Sequence, residues 1–309
     1  MRVTYCLGIV TAEGLVLASD SRTNAGFDQV NTTRKMFRFE KPGERVFVVL
    51  NSGSLSISQS VMTLLRDEFD QGRGLATAPS LYHAARIVGD CVRRVSDTDR
   101  DSLERDNFSF NVHLLLGGQV KGEEPGLYLI YPQGNPLRAT EDSPYLQLGE
   151  CKYGRPILDR GIENSTSLEV AAKYALLSMD ATMRSNVTVG PPIDLLLYEK
   201  DSLKVTRSRR LSFADADLKY IHAAWEQSLR RAVEQLPQIH FDEQLEFPQT
   251  KAAAVAVGGT SASMPASSKT EAVDRLGEAP HKSSRQRENR PNKLQHAVNG
   301  DAHDPKRQQ

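Results

Sequence analysis

Residues 3–22 read VTYCLGIVTAEGLVLASDSR. Residues 3–10 and 15–19 are runs rich in β-branched and aliphatic side chains, and Ala12-Glu13-Gly14 between them supplies a glycine turn. The stretch predicts a β-hairpin at the start of the fold. Its apolar run is broken by Glu13, Gly14 and Asp20, so it lacks the continuous apolar region of a secretory signal. The hairpin carries two groups with chemistry: the hydroxyl of Thr4 at the head of the first strand and the carboxyl of Asp20 after the second.

Working outward, residues 34–40 (RKMFRFE) alternate polar and apolar and predict a third strand, which the turn Lys41-Pro42-Gly43 ends. Residues 45–50 (RVFVVL) predict a buried fourth strand that stops at Asn51-Ser52-Gly53-Ser54. The period then changes. Leu55, Val61, Leu64, Leu65 and Phe69 fall at helical spacing, and a second helix opens at Pro79-Ser80 and runs to about Val95. Residues 96–106 read as a charged loop. Strands follow at 108–116 and 126–131, a helix at 167–184, strands at 194–199 and 203–211, and a last helix from 215 to 236 that holds Trp225. Antiparallel hairpins followed by paired helices predict an α+β fold, a four-layer α/β/β/α sandwich with helices outside two stacked sheets.

The composition shifts near residue 244. Residues 249–309 hold no aromatic residue and no sustained periodicity, so burial there cannot offset the entropy of ordering. One folded domain over residues 1–243 and a disordered polar tail over 244–309 are the expected organisation.

Composition also narrows the function. Lysine plus arginine equal aspartate plus glutamate at 39 each, so the chain lacks the global basic field that binds nucleic acid. Cys6, Cys91 and Cys151 are odd in number and contain no CxxC, which argues against a disulfide framework or a thiolate metal site and suits a reducing cytoplasm. No apolar run approaches the ~20 residues of a membrane span. GxSxG, P-loop, HExxH and dinucleotide fingerprints are absent. The histidines are scattered and support no His-based triad.

What remains is the hydroxyl, the acid, the lysine Lys35 and the glycine Gly53, spaced along consecutive strands. Alone, each has an ordinary reading as a strand, turn or strand-end residue. Together, Thr4 to Gly8 (TYCLG), Asp20 to Gly26 (DSRTNAG), Arg34 to Phe37 (RKMF), Gly149 to Arg160 (GECKYGRPILDR) and Ser178 to Asn186 (SMDATMRSN) resemble, in order and spacing, the proteasome β-subunit superfamily. Within it they are most similar to the proteasome-like family called Anbu. The resemblance covers about residues 4–243 and leaves out the tail.

The resemblance implies an N-terminal-nucleophile hydrolase of the proteasome type. Thr4 would be the nucleophile and its own free α-amino group the base. That amine has an ordinary pKa of about 7.7–8.0, close to working pH. Lys35 would lower the pKa of hydroxyl and amine, Asp20 would hold Lys35, and the Gly53 N–H would stabilise the oxyanion. Ser178, Thr182 and Ser185 fall where the superfamily places groups around the terminal amine. No cofactor or metal is implied. The implied partners are a peptide or protein substrate and copies of the same chain in a ring or spiral, with no nucleic acid and no membrane.

One departure from the family pattern matters. Met1-Arg2-Val3 precede Thr4. While they are attached, the Thr4 nitrogen is an amide and supplies no base, so the peptidase reading expects either their removal or a translation start that exposes Thr4. Two other functions fit the same fold: a narrow amidohydrolase, and a catalytically silent subunit of a proteasome-like assembly.

Overall fold

The computed structural model describes residues 4–24 and 30–239; Met1-Arg2-Val3 and the tail expected from residue 244 lie outside the described residues. In chain order the elements are β1 (Tyr5–Thr11), β2 (Gly14–Ser19), β3 (Arg22–Asn24), β4 (Val30–Thr32), β5 (Met36–Lys41), β6 (Arg45–Gly53), α1 (Leu55–Asp70), α2 (Leu81–Arg105), β7 (Val112–Val120), β8 (Gly126–Ile130), β9 (Pro136–Arg138), β10 (Tyr145–Gly149), α3 (Arg155–Asp159), α4 (Leu168–Ser185), β11 (Ile193–Glu199), β12 (Arg207–Leu211) and α5 (Ala216–Glu234). A single 3-10 turn at Gly74–Thr77 joins α1 to α2.

The strands form two five-stranded antiparallel sheets, ordered β10-β1-β2-β11-β12 and β5-β6-β7-β8-β9, while β3 and β4 pair as a separate ribbon. Alternation along each strand stacks these sheets into layers. Tyr5, Leu7 and Ile9 of β1 and Val16 and Ala18 of β2 face α3 and α4, where they meet Leu158, Ala171, Ala175 and Met179. Their strand neighbours Cys6, Leu15 and Leu17 face the other way and meet Val46, Val48 and Leu50 of β6 and Leu115 of β7. The alternate residues of that second sheet, Phe47, Val49, Leu114 and Leu116, pack on Ile57, Val61, Val88 and Val92 of α1 and α2. Three apolar cores therefore separate four layers, the expected α/β/β/α sandwich.

The structure moves several element boundaries. Helix α2 continues through residues 96–105, where a loop was expected. That stretch holds neither glycine nor proline. Arg100 ties it together: its Nε donates to Ser96 Oγ at 2.9 Å, it lies 3.5 Å from Glu104 one turn on, and it sits 4.7 Å over the Phe110 ring. The density of charge marks a solvated helical face there, not a loop. Strand β7 begins at Val112 instead of 108 because Asn107 takes a left-handed turn (φ 60°) and leaves Phe108 exposed. Strand β12 begins at Arg207 instead of 203, after left-handed residues at Asp201 and Leu203. Short β3, β4, β9, β10 and α3 carry too few residues for a periodic signal and were not expected.

The topology brings the residues with chemistry to one end of the sandwich. Strand β1 lies between β10 and β2. Thr4, at its entrance, therefore has Glu150 on one flank and Asp20 on the other. The adjoining sheet brings Lys35, just before β5, and Gly53, at the end of β6, to the same end.

Candidate active site

Thr4 is buried against its neighbours, with only 7% of its surface exposed. Lys35 is 2% exposed, and its ammonium makes three hydrogen bonds: to Thr4 Oγ1 at 2.9 Å, to Asp20 Oδ1 at 2.7 Å and to the Arg22 carbonyl at 2.6 Å. An ammonium has three N–H donors, so this set uses all of them. The lysine is locked between the hydroxyl and the acid, and it leaves the hydroxyl proton of Thr4 free to go elsewhere. A cation donating to an oxygen favours that oxygen's charged form.

Asp20 is fully buried and follows β2 in a side-chain turn, its Oδ2 accepting the Arg22 N–H two residues on at 3.1 Å. Oδ1 also accepts the Tyr5 N–H at 3.1 Å, and the Gly190 N–H approaches Oδ2 at 3.4 Å. Burial pushes this carboxyl up from its ordinary value, and the Lys35 charge and the surrounding N–H donors pull it back. The same burial pushes the Cys6 thiol up, so the cysteine nearest Thr4 in sequence is held as an inert thiol.

Gly53 adopts φ +113°, and a Cβ there would lie 2.3 Å from the Asn111 carbonyl oxygen, so only glycine fits. Thr4 and Gly53 line one cleft of about 300 Å³ together with Asn111, His113, Leu129 and Cys151. Thr4 thus forms part of the wall of a cleft to which both sheets contribute residues.

The helix residues sit differently. Ser178 is buried on α4, donates to the Gly154 carbonyl at 2.9 Å and pairs with the Tyr5 hydroxyl at 2.6 Å. It braces the residue beside Thr4. Thr182 donates back to the Ser178 carbonyl within the helix at 2.8 Å, and Ser185 ends α4 exposed. None of the three has a described hydrogen bond to Thr4. Closer to Thr4 is Glu150, whose N–H donates to the Thr4 carbonyl at 2.8 Å. Glu150 lies inside the stretch that carries the family resemblance, but only the pairing of β1 with β10 reveals whom it faces. Among the described residues no group of three or more His, Cys, Asp or Glu side chains is placed to hold a metal, and no helix is long and apolar enough to cross a membrane.

A two-sheet sandwich with threonine, lysine and aspartate hydrogen-bonded at the head of β1 is the architecture of the N-terminal-nucleophile class. The proteasome subunit family model matches residues 2–196, and the chain belongs to that family. Its solved neighbours include Anbu, the ancestral β-subunit, from Yersinia bercovieri, at 42% identity and TM-score 0.71, covering 77% of this chain and 99% of that one. The helical assembly of the Anbu complex from Pseudomonas aeruginosa matches at 45% identity and TM-score 0.73, covering 77% of this chain and 98% of that one. Among curated proteins, proteasome subunit beta of Haloferax volcanii is 25% identical over 205 residues, 66% of this chain and 76% of its own length.

Proposed function

We propose that the chain is a threonine peptidase that hydrolyses amide bonds with Thr4 as nucleophile, after cleavage in front of Thr4 frees its amine. The observation that carries this reading is the single ammonium of Lys35, which donates at once to Thr4 Oγ1 and to buried Asp20. A structural lysine has no need of a threonine hydroxyl as its partner inside a cleft.

In the proposed reaction the free α-amine takes the Oγ proton as Oγ attacks the substrate carbonyl carbon. The carbonyl oxygen becomes an oxyanion, for which the Gly53 N–H at the cleft rim is the proposed donor; contacts of this type contribute about 3–4 kcal/mol. The tetrahedral carbon expels the amine half of the substrate, which takes the proton from the α-ammonium. An ester on Thr4 is left. Water then attacks it, the α-amine accepting a proton from the water and returning it to Oγ as the C–Oγ bond breaks and the acid half leaves. No step needs a metal or cofactor.

The chain is further proposed to work as a homo-oligomer. The Pseudomonas aeruginosa relative forms a helical assembly. Here α5 has no fully buried residue, and Leu229 and Val233 on it are at least half exposed, an apolar surface suited to contact with another copy.

N-terminal sequencing with intact mass, followed by labelling with an acylating amide mimic, tests the reading. A chain that begins at Thr4 and carries the acyl group on Thr4 is expected. A chain with a free Thr4 amine that neither acylates nor turns over short peptide amides would reject it in favour of a silent structural subunit. Turnover confined to one small amide would point to the narrow amidohydrolase.

A further inference from the structure

Glu150 is a buried carboxylate that is only half satisfied. Its side chain is 9% exposed, and Oε2 accepts the Asn186 amide at 3.3 Å. Oε1 is shut off from solvent and has no hydrogen-bond donor among the described residues. The nearest cation, Lys152 Nζ, stands 3.8 Å away on a side chain that is 76% exposed. An ionised oxygen left this way is costly, and folds keep such groups where something arrives to pair them.

The strand register shows what faces it. Tyr5 pairs with Gly149, so Thr4 stands opposite Glu150. Within a strand a residue's N and O point to the same neighbour, and successive residues alternate. Tyr5 turns both toward β2: its N–H donates to Asp20 Oδ1, and its carbonyl accepts the Asp20 N–H at 3.1 Å. Thr4 must therefore turn both groups the other way, and its carbonyl does take the Glu150 N–H. By the same alternation an extended Thr4 turns its nitrogen to that side as well. Gly149 makes the approach possible: at φ +80° a Cβ would sit 1.8 Å from the Thr4 carbonyl oxygen, so the left-handed turn that swings Glu150 against Thr4 admits only glycine.

We infer that Glu150 Oε1 receives the α-ammonium of Thr4 once that amine is free, holding it beside the hydroxyl and raising the pH at which it loses its proton. This rests on the reading of Thr4 as a residue with a free amine. Glu150 is a positioning residue: it touches the base, not the substrate. Other charged or titratable groups around the amine are Asp20 and Lys35, which neutralise each other, Arg22, the thiols of Cys6 and Cys151, the Tyr5 hydroxyl on the α4 side, and His113 across the cleft. Among the described residues, Glu150 is the anion whose backbone pairs with Thr4 on that flank.

Two measurements on the full chain beginning at Thr4 test this. Competitive acetylation by acetic anhydride, read by mass spectrometry across pH, gives the titration midpoint of the α-amine itself. The pH profile of kcat on a fluorogenic peptide amide gives the acid limb of turnover. Glu150→Gln removes the charge and keeps the shape, and it is expected to lower both midpoints by about 1 pH unit or more, the scale of an adjacent opposite charge. Glu150→Asp, which withdraws the carboxylate by one methylene, is expected to shift them less, and it reads the same trend if the glutamine variant does not fold. Midpoints equal in wild type and variant overturn the assignment. An amine midpoint that moves in a protein without turnover or Thr4 acylation keeps the assignment and rejects the peptidase reading.

Discussion

Lys35–Asp20 and Lys200–Glu124 join the same two functional groups at nearly the same distance, 2.7 Å and 2.6 Å. The first pair is buried, with side chains 3% and 0% exposed; the second lies on the surface with 35% and 69%. On the surface, water screens each charge and replaces either partner at little loss. In the interior each charge depends on its partner, because desolvation otherwise penalises the lone ion by several kcal/mol. A buried pair is thus a poor way to gain stability and an effective way to fix a group in space. Lys35 is held by three acceptors, and one of these is the hydroxyl proposed to react.

The largest effect should come from removing what the buried pair serves. Thr4→Ala is expected to reduce peptide turnover by on the order of 10³-fold or more, while circular dichroism and assembly stay as in wild type. Turnover at the wild-type rate would remove Thr4 from the mechanism. Next, Lys35→Met leaves Asp20 as an uncompensated buried anion; urea unfolding should show a loss of about 3–5 kcal/mol, together with loss of turnover.

That variant also carries a pH signature. Burial raises the Asp20 carboxyl, and Lys35 is the main group that pulls it back. Without Lys35 the folded-state value climbs further above the unfolded value of about 3.9. The folded state then binds the extra proton, so stability of Lys35→Met should rise as pH falls through the raised value toward about 4. Denaturation midpoints that fall on acidification across that window would show that Asp20 is not the orphaned charge.

Smaller again is Gly53→Ala. It forces a left-handed residue with a Cβ against the Asn111 carbonyl, and unfolding should register about 1–3 kcal/mol, with slower turnover as the proposed oxyanion donor moves. Least of all, Lys200→Met breaks only the exposed pair, and the melting temperature should not move measurably. A clear loss there would mean that surface and buried pairs differ less than their surroundings predict.

The same contrast explains what could be read from the chain alone. Strands β1, β2 and β6 announce themselves by near-continuous apolar runs because each is buried on both faces, between a helix layer and the other sheet. Thr4, Asp20, Lys35 and Gly53 stand out because each lies at the end of a strand legible in the sequence. Residues 96–105 deceive for the opposite reason: a helix held by side-chain pairs with water on one face looks like a loop when only apolar periodicity is counted. Strand β10 is too short to show a period, and with it went any view of what Glu150 faces: Thr4, 146 positions earlier in the chain, across the β1–β10 register. Ser178 was visible as a helix hydroxyl, but its partner Tyr5 is legible only from the packing of α4 on β1.

The strand order also governs when the site comes into being. Thr4 precedes its surroundings in the chain, and they arrive in stages. Lys35 and Gly53 follow early, Glu150 only with β10, and the Gly190 N–H that completes the Asp20 shell shortly before β11. Because β2 pairs with β11, the sheet under the hydroxyl cannot close until most of the folded chain has been made. A growing chain therefore carries its candidate nucleophile for most of synthesis before the surroundings of that residue are complete.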